Sequence, residues 1–364
     1  MKLSCLKIQG VRNLLNVNCL PDPHMNVLVG PNGSGKTSFL ESIYLLSHGR
    51  SFRSHPVTTA IRQGADKFTV FGKLSENNRE FNVGVEKARH GRALCRVEGD
   101  PTITLSRLAS LMPVQFISPD SFKLCTHGPE VRRHFMDWGL FHAHAGYQAL
   151  WSTYQRVLKQ RNAALKEYPL IKKRVQIWDL DLVKSGEEIS ALRSKFLKDF
   201  LPIAKPLIDK FLKSFSDVSS VELKYEPGWE EKELAEALNR AWGEEASRKV
   251  TCVGPHRADL CLKINGLRAD HVLSRGQQKL LVCALQVAQG AFLKKETGKD
   301  TIFLVDDIAA ELDGTSRQLV LNALSEQGAQ IFLTAIEGGL LQEGLKAAEH
   351  KMFHVKQGQI YLPQ

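Results

Sequence analysis

The sequence predicts an α/β fold interrupted by a compact α-helical second lobe, and three observations predict it. An apolar run, a glycine loop and an amphipathic stretch follow one another over residues 25–46, residues 129–215 carry helical periodicity, and strand and helix patterns alternate again from 301 to 333. With 364 residues, 43% apolar and 24% charged, the chain has the composition of a globular protein large enough for two lobes. The expected division is 1–122 and 251–364 for the α/β lobe, with a β-rich subdomain in its N-terminal part, and 123–250 for the helical lobe.

Taken in order, residues 2–9 read as a strand, and Met25 to Val29 as a short buried one. Next comes Gly30-Pro31-Asn32-Gly33-Ser34-Gly35-Lys36-Thr37, and then a helix over 38–46 with Phe39, Leu40, Ile43 and Leu46 on its apolar face. Strand, glycine loop and helix in that order form the setting of a phosphate-binding loop. Its glycines let backbone N–H groups turn toward phosphates, and the helix N-terminus adds partial positive charge. Lys36 reaches the terminal phosphates and the Thr37 hydroxyl can hold Mg²⁺. Gly30, Asn32, Gly33, Gly35, Lys36, Thr37 and Ser38 are therefore the first candidates for binding a nucleoside triphosphate.

Residues 67–74, 80–86 and 94–97 mix apolar and polar residues at strand length, and 113–117 reads as a buried strand. Between 129 and 215 the apolar residues follow helical spacing, with Leu150, Tyr154, Val157 and Leu158 on one face and Ile189, Leu192, Phe196 and Phe200 on another. Pro202 and Pro206 are expected to break or kink the last of these helices. Strand character returns near 221–225 and 260–264, where Asn265-Gly266 predicts a hairpin turn. A helix over 274–294, a strand over 301–305, a helix over 315–324 and a strand over 330–333 complete the α/β lobe.

The formal charge is +10, which suits a polyanionic partner. Residues 151–215 hold 14 Lys or Arg against 7 Asp or Glu, whereas 226–246 hold seven acidic residues and two basic ones. Seven cysteines without a C-x-x-C pair predict reduced, mostly buried thiols and no zinc site. No run approaches the ~20 apolar residues of a membrane span, and nothing resembles a secretory signal, so no membrane partner and a cytoplasmic location are expected.

Two further segments complete the site. In Thr301-Ile302-Phe303-Leu304-Val305-Asp306-Asp307 an apolar strand ends in two carboxylates, where Asp306 would hold the metal through water and Asp307 would polarise an attacking water. Leu273-Ser274-Arg275-Gly276-Gln277 opens a helix with groups that can face an anion, so Ser274, Gly276 and Gln277 are further candidates. A plain helix cap is the alternative reading of Ser274.

With this order of motifs, followed by Ala310-Glu311-Leu312-Asp313, the chain resembles the ATP-binding-cassette (ABC-type) class of ATPase heads. More narrowly it resembles the RecF family of bacterial DNA-repair ATPases. Arg12-Asn13, Gly49-Arg50-Ser51-Phe52-Arg53, Pro129 with Arg132-Arg133 and Asp137-Trp138, Lys159 to Leu165, and Gly254 to Leu260 carry that resemblance. It implies an ATP-dependent homodimer that sandwiches two nucleotides and binds duplex DNA beside gaps and junctions, with weak Mg²⁺-dependent ATPase activity. It also implies cooperation with RecR and RecO in loading RecA. By the same resemblance Arg12 and Asn13 join the nucleotide site, and Gln115 senses the metal and the γ-phosphate, a buried strand glutamine being the rival reading. Many ABC-type heads carry a histidine after the strand that follows the Asp pair, but Ile331-Phe332-Leu333-Thr334-Ala335 offers none, and if Thr334 fills that place γ-phosphate sensing is weaker or different. A transporter ATPase subunit fits the shared motifs but not the basic helical insert, and an SMC-like chromosome organiser would need a long coiled coil. Arg50, Arg53, Lys172, Lys173 and Arg174 are the candidates for DNA contact.

Overall fold

The computed structural model describes residues 1–76, 79–101, 104–213, 215, 218–308, 312–336 and 350–362. Its contacts divide the chain into two units, Met1–Ser121 with Cys283–Gln364, and Phe122–Val282.

The first unit is built on two sheets. Strands β1 (Lys2–Val11), β2 (Leu14–Cys19), β4 (Lys67–Glu76), β5 (Arg79–Ala88) and β6 (Leu94–Val97) form an antiparallel sheet in the order β2-β1-β4-β5-β6. The alternating burial of β4 and β5 is what a sheet with one covered face demands. The second sheet runs β14-β13-β3-β12-β11-β7, comprising β3 (Met25–Val29), β7 (Val114–Ile117), β11 (Ile302–Val305), β12 (Gln330–Ala335), β13 (His350–Lys356) and β14 (Gln359–Tyr361). From β13 to β7 its strands are parallel. β3, β11 and β12 are buried at every residue, as parallel strands covered on both faces must be. Helix α1 (Lys36–His48) buries Phe39, Leu40, Ile43 and Leu46 in the same core as Leu28, Leu304 and Phe332.

The second unit holds α4 (Pro129–Ala143), α5 (Tyr147–Ala164), α6 (Lys172–Gln176), α7 (Asp179–Leu212) and α8 (Leu234–Arg248), preceded by the short α3 (Lys123–Thr126), as α2 (Leu105–Leu111) precedes β7. It also carries a sheet of order β10-β9-β8, from β8 (Val221–Glu226), β9 (Asp259–Ile264) and β10 (Leu267–Arg268), with the hairpin turn at Asn265-Gly266 as the sequence predicts. After the single turn α9 (Ala269–Val272), helix α10 (Arg275–Thr297) starts in this unit and ends in the first, whose last helix among the described residues is α11 (Gly314–Glu326).

Two expectations differ from what is observed. Of the expected break or kink, the break is not seen: α7 is one helix of 34 residues with Pro202 and Pro206 inside it. Both prolines and Lys198 are exposed, so the carbonyls that lose helical donors, those of Lys198 and Pro202, lie where water can reach them. The unit boundary falls after Val282 and not at 250, because β9 pairs along its whole length with β8 and Asp259 binds Arg132 of α4 at 2.6 Å.

None of the seven cysteines is in a disulfide, and four of them are buried. Among the described residues no helix is long and apolar enough to cross a membrane, and no group of three or more His, Cys, Asp and Glu side chains is placed to hold a metal.

Candidate nucleotide-binding site

Three adjacent parallel strands end together. Val29 of β3 aligns with Ala335 of β12, and Leu333 of β12 with Val305 of β11. The glycine loop therefore leaves β3 beside Thr334, while Asp306 and Asp307 leave β11 on the other side. This is the carboxyl edge of a parallel sheet, where ligands of such folds bind. The Gly30 N–H donates to Ala335 O at 3.3 Å and the Asp306 N–H to Ile117 O at 2.8 Å, fixing the loop and the carboxylate to their neighbours.

Glycine is required twice in the loop. A Cβ on Gly30 would stand 2.2 Å from the Val355 carbonyl oxygen, and Gly35 has φ +120°, which side-chain-bearing residues avoid. Lys36 opens α1, and its ammonium donates to the carbonyls of Gly30 at 2.6 Å and Pro31 at 3.0 Å. Burial lowers the Lys36 pKa, and the charges of Asp307 and Asp306 oppose that. Ser38 is buried behind the loop, and its carbonyl accepts from Ser42. Asn32 and Gly33 are exposed.

The Thr37 hydroxyl donates to Asp306 Oδ1 at 3.2 Å. The Thr334 hydroxyl donates to the same oxygen at 2.7 Å and accepts from the Asp307 N–H at 2.9 Å. Burial raises the Asp306 pKa, which the bonds from Thr334 and Thr37 oppose. Thr334 thus holds both members of the acidic pair, Asp307 with a left-handed φ of +50°. The 3.2 Å between Thr37 Oγ1 and Asp306 Oδ1 fits two oxygens on one octahedral Mg²⁺, which stand about 3 Å apart when each is about 2.1 Å from the ion. The residues present therefore suit that metal.

Thr334→Val keeps the shape but leaves the Asp307 N–H without its acceptor, a loss of about 1–3 kcal/mol if that group finds no other. ATP turnover should fall at least tenfold while nucleotide binding persists, and Thr334→Ser should restore turnover. Equal turnover in the valine variant would contradict this role.

Other candidates are placed differently. Gln115 pairs with Phe303 in the β7–β11 register, three residues before Asp306. Its side chain is 7% exposed and donates to Gln289 Oε1 at 2.7 Å. The structure thus gives Gln115 a core hydrogen bond and does not bring it to Asp306 or Thr37. Arg12 is likewise committed, with Nε and a terminal nitrogen on the two oxygens of Glu41 at 2.9 and 2.8 Å and further bonds to Thr59 O and Ser54 Oγ. Asn13 does reach the loop, donating to Gly33 O at 3.1 Å, and its own buried oxygen has no hydrogen-bond donor among the described residues.

Ser274 caps α10. Its hydroxyl accepts from the Gln277 N–H at 3.3 Å, and Gln277 Oε1 accepts from the Ser274 N–H at 2.7 Å, a reciprocal capping box. Ser274, Arg275 and Gly276 stay exposed, with nothing within 4 Å of where a Gly276 Cβ would be. Ala310 and Glu311 lie outside the described residues; Asp313 caps α11 by accepting from the Ser316 N–H at 2.9 Å.

Glu41 is the residue the sequence reading missed. It is fully buried and accepts from Arg12 and from Ser51 Oγ at 2.6 Å, with Arg53 at 3.8 Å. A lone carboxylate among the apolar residues of α1 is the signal that could have found it.

A family model described as the RecF/RecN/SMC N terminal domain matches residues 2–360. A DNA replication and repair protein RecF of Shewanella denitrificans is 41% identical, the match covering 99% of either chain, and one of Shewanella putrefaciens is 40% identical over the same shares. The chain belongs to the RecF family. A solved structure of the recombination mediator protein RecF-ATP in the RecFOR pathway is similar to it with a TM-score of 0.87 at 25% identity, covering 100% of this chain and 98% of that one. An SMC head bound to the C-winged helix domain of ScpA has a TM-score of 0.62 at 15% identity, a likeness of fold alone. RecF membership agrees with the α/β ATPase-head fold expected from the motifs.

Proposed function

We propose that this chain is an ATP-gated DNA-binding protein of replication and recombinational repair. Two copies close on two nucleotides, each held by the loop of one copy and capped by the Ser274–Gln277 helix start of the other. The closed dimer binds duplex DNA beside gaps and junctions, cooperates with RecR and RecO in loading RecA, and is reset by slow hydrolysis in the cytoplasm. The observation that carries this reading is the capped but exposed start of α10, together with a phosphate loop already joined to its acidic strand end. The RecF-ATP likeness supports the nucleotide, and the family's part in DNA replication and repair supports the DNA.

Within each copy the loop N–H groups and Lys36 would bind and orient the phosphates, and Asp307 would polarise the attacking water. Mg²⁺, held by Thr37 and Asp306, would neutralise charge on the terminal phosphates. ATP bridging two copies favours only the closed state, so it shifts the dimer equilibrium by that difference.

Sedimentation with and without ATP, and with duplex, single-stranded and gapped DNA, tests the reading. Dimers that form only with ATP and bind duplex beside a gap are expected; an unchanged monomer would refute gating. Ser274→Arg should block dimerisation while leaving ATP binding by the monomer intact. Loss of monomer binding in that variant would contradict a role across the interface.

A further inference from the structure

The basic residues of α5 divide by face. Arg161 points inward, 1% exposed, and meets Glu245 at 2.7 Å and Asp179 at 2.8 Å. Arg156 and Lys159, with Lys166 just beyond the helix, are exposed, and among the described residues their side chains have no ion pair or hydrogen bond. No Asp or Glu occurs between Asp137 and Glu167. On α8, by contrast, Arg248 pairs with Glu244 at 2.5 Å. Three of the earlier candidates have partners: Lys172 lies 5.3 Å from the Trp242 ring, Arg174 is 3.6 Å from Glu167, and Arg53 is 3.8 Å from Glu41.

The three cations share one open surface whose lining includes Gln155 and Gln160 but no carboxylate and no aromatic ring. They are spread along about 15 Å of chain, at ~1.5 Å per residue. The phosphates of one strand advance ~3.4 Å each along the duplex axis, so this length meets several. Without rings there is nothing for unpaired bases to stack on, which disfavours a single strand. Without carboxylates a basic polypeptide has no partner here.

We infer that this face of α5 carries the backbone of duplex DNA. Arg156, Lys159 and Lys166 each neutralise a phosphate, and Gln155 and Gln160 donate amide hydrogen bonds to the same strand. The contact is independent of base sequence. The inference rests on the DNA-binding reading above and assigns that binding to named residues.

The test measures duplex affinity of the full chain with ATP by fluorescence anisotropy between about 50 and 200 mM salt, for the parent and for Arg156→Gln/Lys159→Gln/Lys166→Gln. Removing three phosphate contacts should make the slope of log affinity against log salt shallower by about 2.7, so the variant's deficit at the lower salt exceeds that at the higher by about 40-fold. ATP-dependent dimerisation should be unchanged, and the charge-conserving Arg156→Lys/Lys159→Arg/Lys166→Arg should keep the parent slope. A parent slope in the glutamine variant overturns the assignment alone, and does so even if that variant loses affinity for an acidic protein. A parent that shows no salt-dependent duplex binding overturns the DNA-binding reading as well.

Discussion

Lys36→Ala is expected to abolish ATP-dependent dimerisation and, with it, ATP-dependent retention of DNA. The ammonium sits on the carbonyls of Gly30 and Pro31 at 2.6 and 3.0 Å, at the mouth of the loop, where a bound phosphate would take its charge. A hydrogen bond to a charged group contributes about 1.5–3 kcal/mol, so each nucleotide loses at least that much. The proposed closed dimer would hold two nucleotides, so the loss is counted twice and the closed state should fall by about 3–6 kcal/mol, between 10²-fold and 10⁴-fold. The fold itself should survive, because the strand, the Gly30 approach to Val355 and the apolar face of α1 do not depend on the ammonium. Sedimentation with ATP reads the effect and thermal unfolding without nucleotide provides the control. An ATP-induced dimer of normal stability in a well-folded variant would refute the gating model.

The legible parts of the site share a property: their geometry is local. Glycine loop and helix start are contiguous, so residue types at fixed spacing dictate backbone turn, helix N-terminus and Lys36 together. Asp306 was legible because an apolar strand that ends in a carboxylate points to the edge of a parallel sheet. Gln115 was not, since a strand residue's partner depends on register, and a register opposite Phe303 leaves it in the core beside Gln289. The capping box shows the limit of a motif: Ser274 and Gln277 satisfy each other, and only the exposure of Ser274, Arg275 and Gly276 leaves room for a second role. Units were harder to divide than elements, because the pairing of Val221–Glu226 with Asp259–Ile264 joins strands that the helix at 234–248 separates in sequence.

Glu41→Ala should be the most destabilising change near the site. The carboxylate is fully buried, Arg12 grips both oxygens and is itself only 22% exposed, and Ser51 donates at 2.6 Å. Removing one member of such a pair leaves the other charge buried and uncompensated, a loss of about 3–5 kcal/mol. For a domain of about 200 residues that lowers the melting temperature by roughly 6–20 °C. The same logic makes the double variant Glu41→Ala/Arg12→Met more stable than Glu41→Ala alone, since no unpaired guanidinium remains. A functional loss should follow the structural one. Arg12 adjoins Asn13, whose amide holds the Gly33 carbonyl, and Ser51 receives the backbone N–H groups of Arg53 and Ser54. Without Glu41 the turn behind the glycine loop and the 51–54 segment lose their common anchor, so ATP affinity should fall in Glu41→Ala below its melting range. Thermal unfolding of both variants, followed by nucleotide titration at a temperature where each is folded, separates the two effects. A double variant less stable than Glu41→Ala would mean that packing, and not the uncompensated charge, dominates at this position.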